Sequence, residues 1–149
     1  MNRKAFEEKL AALPIAQYAF FETTELEFSE RIRTVCRTEC PRYGKSWACP
    51  PGVGTVDECR TRCLAHPHGL LISTLTEVGD IADMEQTLAT RPAHEAVTHQ
   101  VADLLRAEGV DVLGLSSESC AICTECAYPN APCRHGDKMF RCVESHGII

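Results

Sequence analysis

The sequence predicts an α+β fold, or a small α/β one, in which a short sheet with a helical crossover carries two cysteine-rich loops. Three observations lead there. Apolar segments of strand composition, residues 15–21 (IAQYAFF), 69–75 (GLLISTL) and 110–115 (VDVLGL), alternate with stretches of helical periodicity. Between residues 31 and 54 that periodicity stops, and Pro41, Gly44, Pro50, Pro51, Gly52 and Gly54 punctuate the chain. Ten cysteines occur, nine of them in two groups. At 149 residues the chain suits one domain spanning 1–149, with cysteine-rich segments 36–63 and 116–142.

Taken in order, residues 3–13 read as a short amphipathic helix with Phe6, Leu10 and Leu13 on one face, ended by Pro14. Residues 15–21 follow as a strand, and residues 22–29, where Leu26 and Phe28 alternate, as a second. Residues 31–54 read as a loop shaped by turns, long enough inside a small domain to need an internal reason such as a metal. Thr55-Val56-Asp57-Glu58 is a capping box opening a helix of about ten residues that Pro67 closes. Cys59 and Cys63, four apart on it, face the same way. Residues 69–75 read as a buried strand, and residues 80–89 as a helix with Ile81, Met84 and Leu88 on one face. Pro92 suits the first turn of a further helix striped by Val97, Val101, Leu104 and Leu105 and ended at Gly109. Residues 110–115 then make a strand parallel to 69–75 through a right-handed crossover. From 116 onward the chain is loop-rich, and no repeat of fixed period is present.

Charge and patterning exclude some classes. Net charge is −6, which disfavours binding driven by nucleic-acid phosphates. No apolar run reaches the roughly 18 residues of a membrane span. The start, MNRKAFEEKL, is charged where a signal peptide needs an apolar stretch, so a cytoplasmic location is expected. In a reducing compartment clustered cysteines are more often metal ligands or catalytic groups than disulfides. Ten of the fifteen basic residues fall in 31–62 and 134–141, beside the cysteines, where positive charge offsets thiolates.

Cys120, Cys123, Cys126 and Cys133 are spaced C-x2-C-x2-C-x6-C. Three thiols at two-residue separation can wrap one face of a [4Fe–4S] cluster while a fourth returns from further along, here after a turn at Pro129, Asn130 and Pro132. Zinc is the alternative, although it usually takes two C-x2-C pairs with a longer spacer. The first group offers Cys36, Cys40, Cys49 and Cys59 for a second cluster, with Cys63 able to replace Cys59. Prolines follow Cys40 and Cys49 and fix the backbone there. Cys142 stands alone and reads as core or as a reactive thiol.

The run Tyr43-Gly44-Lys45-Ser46-Trp47-Ala48-Cys49-Pro50-Pro51, with Cys36 and Cys40 upstream, resembles the DUF2284 family of predicted metal-binding proteins. The segment from Cys123 and Cys126 through Ala127-Tyr128-Pro129, Cys133-Arg134 and Val143-Glu144-Ser145-His146-Gly147 is similar to that family's C-terminal motif. The resemblance covers most of residues 15–149. It implies metal binding and a ligand set of Cys36, Cys40, Cys49, Cys120, Cys123, Cys126 and Cys133, but little about activity.

Other features carry less. Gly44-Lys45-Ser46 lacks the first glycine of a phosphate loop, because position 39 is Glu39. His66 and His68 flank Pro67 and read as a surface turn, while His94 and His99 read as exposed. His135 and His146 lie near the C-terminal thiols and suit hydrogen bonding around a metal site. Trp47 and Tyr43 read as shields against water. No nucleophile–base–acid set emerges. The expected role is electron transfer to a redox partner protein; the alternatives are a cluster-dependent enzyme or metal-handling protein, and a zinc-stabilised interaction module.

Overall fold

The computed structural model describes residues 1–149 and divides them into two compact units, residues 1–21 with 68–112 and residues 22–67 with 113–149. The class is α+β: five α-helices, one antiparallel pair of strands and one small parallel pair.

The first unit opens with α1 (Arg3–Ala11), whose free amides are met at the start by the Asn2 side chain, which accepts from Ala5 N at 3.2 Å. Phe6 and Leu10 turn inward and are each 1% exposed. The strands β1 (Gln17–Glu22) and β2 (His68–Ser73) pair antiparallel, with Ala16 N donating to Ser73 O at 2.8 Å. A Cβ at Gly69 would drive into the Phe21 ring, so this close approach requires glycine. After α4 (Met84–Ala89), helix α5 (Arg91–Ala107) buries Val97, Val101 and Ala102. Val101 joins Phe6 and Leu10 in the core, and Leu13, Ile15, Phe20, Leu70, Ile72, Leu104 and Leu105 pack around them. Gly109, at φ +78°, takes the left-handed turn that ends α5. There Glu108 pairs with Lys9 of α1.

The second unit contains α2 (Glu30–Glu39), begun by Ser29, whose hydroxyl accepts from Arg31 N at 3.2 Å. Helix α3 (Val56–Leu64) begins at the expected capping box: Thr55 Oγ1 accepts from Glu58 N, and Glu58 Oε2 from Thr55 N at 2.7 Å. Both helices pack on a 3-10 turn, Glu144–His146, closed by Gly147 at φ +72°. Two short strands, β3 (Leu115–Ser116) and β4 (Arg141–Cys142), run parallel.

Four expectations are corrected. Residues 22–29 do not form a strand: Thr23–Glu25 is a 3-10 turn, and Phe28 makes only an isolated bridge to Ile148. Buried Thr23 explains the break, because its hydroxyl donates to His66 O at 2.6 Å and its amide to Pro67 O. The irregular stretch starts at Cys40 rather than Arg31, since α2 occupies the first part and stops before Pro41. Residues 69–75 and 110–115 do not pair with each other; β2 pairs with β1, and β3 with β4. Helix α4 starts only at Met84, because the Asp83 side chain caps it by accepting from Glu85 N and Gln86 N. Its supposed inner face is outside, with Ile81 86%, Met84 68% and Leu88 46% exposed.

Leu10→Ala would leave a cavity beside Phe6 and Val101. It is expected to lower unfolding free energy by about 2–5 kcal/mol in urea titration.

Candidate metal centre

All ten cysteines belong to the second unit, and none is joined in a disulfide. Helix α2 presents Cys36, half-buried, and ends on exposed Cys40. The chain then turns at Gly44, φ +71°, whose amide donates to Pro50 O at 2.8 Å. Buried Ser46 organises the next turn: its hydroxyl accepts from Ala48 N, and its carbonyl from Cys49 N. Cys49 is thereby placed inside, 4% exposed. Burial first, and then the negative charge of Cys40 and Cys49, hold the Cys36 thiol above its ordinary value, while Arg33 pulls the other way. Cys36, Cys40 and Cys49 are therefore electrostatic neighbours.

The second group walls a cavity of about 350 Å³. Cys120, Cys123, Cys126 and Cys133 line it together with Ser46, Trp47 and Ala48 of the first loop. Side-chain contacts pin the loops together: Cys49 Sγ lies 3.1 Å from Ser119 Oγ, and Trp47 Nε1 donates to Ala131 O at 2.9 Å. Trp47 also meets the Tyr128 ring edge-on at 4.8 Å, and both rings line the cavity. Arg42, Lys45 and Arg134 stand exposed around this cavity. Arg42 donates to Cys120 O at 3.1 Å, Arg134 to Glu125 O at 3.0 Å, and the His135 amide to Cys133 Sγ at 3.4 Å. The thiols ring the cavity, but no three His, Cys, Asp or Glu side chains converge to metal-bonding reach.

Cys59 and Cys63 both face inward from α3. Cys59 is fully buried, and its sulfur accepts from Arg62 Nη1 at 3.6 Å and Arg33 Nη2 at 3.8 Å. Cys63 has no such company: burial, then the neighbouring Cys59, pushes its thiol up to about 11. Burial likewise pushes Cys142 up to about 11, although Ser145 N donates to its sulfur at 3.2 Å. Cys142 is thus a core thiol that keeps its proton.

Three of the basic residues expected beside the cysteines, Arg33, Arg62 and Arg141, complete the centre. Arg33 also donates to Gly54 O and Ser145 O, both at 2.7 Å, joining α2 to the Pro-Gly loop and the C-terminal turn. Arg62 reaches Val53 O and His146 Nε2, both at 3.1 Å. Arg141 is half-buried, and its charged neighbours are Arg62, Cys59 and Cys133. The available signal was spacing: Arg33 precedes Cys36 by three residues and Arg62 follows Cys59 by three, one helical turn each. Of the histidines, His68 is exposed and His66 half-buried. His94 and His99, expected outside, are half-buried, and His94 Nδ1 lies 2.8 Å from Thr74 Oγ1.

His146 is fully buried, with Nδ1 3.2 Å from Cys142 O and Nε2 facing Arg62 Nη1. A carbonyl on one side and a guanidinium on the other fit only the neutral ring protonated at Nδ1. Burial, then Arg62, lowers its pKa from 6.5 to about 4. The unfolded chain therefore takes up the proton first: stability from this group is complete above pH 6.5 and drains as pH falls toward 4. Unfolding free energy is expected to drop by about 2 kcal/mol between pH 7 and pH 5. In His146→Gln, urea titrations at the two pH values are expected to show that this share of the loss has gone.

No curated protein and no solved structure matches this chain. The model of one family, described as a predicted metal-binding protein (DUF2284), matches residues 19–149, nearly the whole chain and both cysteine-rich segments. The protein belongs to the DUF2284 family of predicted metal-binding proteins.

Proposed function

We propose that this protein holds two [4Fe–4S] clusters and passes electrons to a partner protein. The observation that carries the proposal is the cavity walled by Cys120, Cys123, Cys126 and Cys133. Four thiols around one cavity, three of them two residues apart, are the donor set that such a cluster takes. Cys36, Cys40 and Cys49 would supply three ligands of the second site. Cys59 suits the fourth place better than Cys63, because the Arg33 and Arg62 guanidinium groups donate to its sulfur while burial pushes the Cys63 thiol up to about 11. One orphaned atom supports the fit: Arg33 Nε is buried without an acceptor, on a side chain already bonded to Cys59 and felt electrostatically by Cys36. A bound cluster supplies a one-electron couple. The protein's part is to hold the thiolates, to keep water off with Trp47 and Tyr128, and to offset negative charge with Arg33, Arg42, Lys45 and Arg134.

A second reading, a cluster-dependent enzyme or metal-handling protein, is favoured by the open groove that shares Cys133 with the cavity. It predicts an iron with a non-cysteine ligand, whereas electron transfer alone needs none.

Protein purified without oxygen is expected to be brown, with about eight iron and eight sulfide per chain. It should show reversible reduction by EPR. Cys49→Ser and Cys126→Ser should each remove about half of the iron. Colourless protein carrying zinc would replace this reading with the interaction module, a redox-silent cluster would remove the electron-transfer role, and total iron loss from either variant would mean one shared site.

A further inference from the structure

We propose that the groove beside Cys133 binds a small organic carboxylate with a flat apolar body. The groove, of about 490 Å³, lies within the size range of small-molecule sites. Trp47, Pro129, Pro132 and Met139 provide apolar wall, and Arg141 the one formal charge. Cys133 and Trp47 belong both to this groove and to the thiol cavity, so an occupant lies directly against a candidate metal ligand.

Three features fix the chemistry of that occupant. Arg141 has no carboxylate partner: its Nε is buried with no acceptor, and the groups that act on its charge are another arginine and two cysteines. A guanidinium presents a planar fork that matches a carboxylate in two parallel hydrogen bonds. The Trp47 ring is braced by Tyr128 at 4.8 Å and by its own bond to Ala131 O, so a preformed aromatic surface lines the groove. Stacking on such a surface favours a planar apolar body. Inorganic phosphate would leave Trp47 and Met139 unused and would bring more charge than one guanidinium answers. The mouth is open at Gly136, where an added Cβ would meet nothing within 4 Å. Nothing in this assignment depends on which metal the thiols hold.

The test is calorimetric titration of the purified, metal-loaded protein with benzoate, and with benzamide as its neutral counterpart, at matched ionic strength. Benzoate should bind saturably and benzamide at least about tenfold more weakly. Arg141→Met should weaken benzoate binding by at least about tenfold, the loss expected for hydrogen bonds to a charged group. Gly136→Leu, which adds bulk to the groove lining and leaves Arg141 in place, should weaken benzoate equally and decides the matter alone if Arg141→Met fails to fold. Equal binding of the two compounds, or benzoate binding that survives Gly136→Leu or a folded Arg141→Met, overturns the proposal. An absence of saturating heat overturns it too, and leaves Arg141 as a counter-charge to Cys133 alone.

Discussion

Two irregular loops are fastened to each other by side chains rather than by a backbone ladder. Trp47 donates to Ala131 O, Cys49 meets Ser119, and Arg42 reaches Cys120 O. Each such hydrogen bond contributes about 1 kcal/mol net. Ordering one residue of backbone costs about as much or more. Across residues 40–55 and 117–140 that cost recurs many times, so three cross-loop bonds do not by themselves hold the loops in one arrangement. Metal–thiolate bonds act on the same balance, since binding free energy at a site absent from the unfolded chain is folding free energy. In the proposed metal-bound state the cysteines would belong to the fold of this unit as much as to its chemistry.

Charge is the second constraint. Arg33, Arg62 and Arg141 gather around Cys59, and the hydrogen bonds of Arg33 and Arg62 run to carbonyls, a histidine and a sulfur, with no carboxylate among those partners. The chain as a whole carries −6, so this cationic knot runs against its own average. Like charges half-buried together are costly unless something negative answers them. In the proposed two-cluster reading, thiolates at Cys36 and Cys59 would meet that need. Neutral His146 fits the same logic, because a protonated ring there would add a further cation to the knot.

Local signals were readable where one physical rule dominates. The capping box at Thr55, the stripe of α5 and the inward face of Phe6 and Leu10 each rest on periodicity or on a single cap, and tertiary structure left them alone. Helix α2 was hidden because none of its residues is buried and its apolar positions are sparse; its signal was the Ser29 cap and the proline after Cys40. The stretch 22–29 alternates like a strand, yet buried Thr23 turns the chain by bonding the carbonyls of His66 and Pro67, partners more than forty residues away. Strand pairing failed for the same reason: residues 110–115 look like a strand from within, but whether they find a neighbour is a long-range fact. At the site, the cysteine spacing pointed to one cavity for the second group. It gave no hint that Ser119 would join that group to Cys49, since a serine between acidic and thiol residues has no local signature.

Environment separates the ten cysteines in a way that sequence spacing left open. Cys63 and Cys142 lie in apolar surroundings that raise both thiols to about 11, so both remain protonated and act as small core side chains. Neither has a guanidinium bonded to its sulfur, as Cys59 has. Setting these two aside leaves Cys36, Cys40, Cys49 and Cys59 in one segment and Cys120, Cys123, Cys126 and Cys133 in the other. Eight thiols in two sets of four is the number that the two proposed cubane clusters would take. Cys49 is the member that touches the opposite segment, through its buried contact with Ser119.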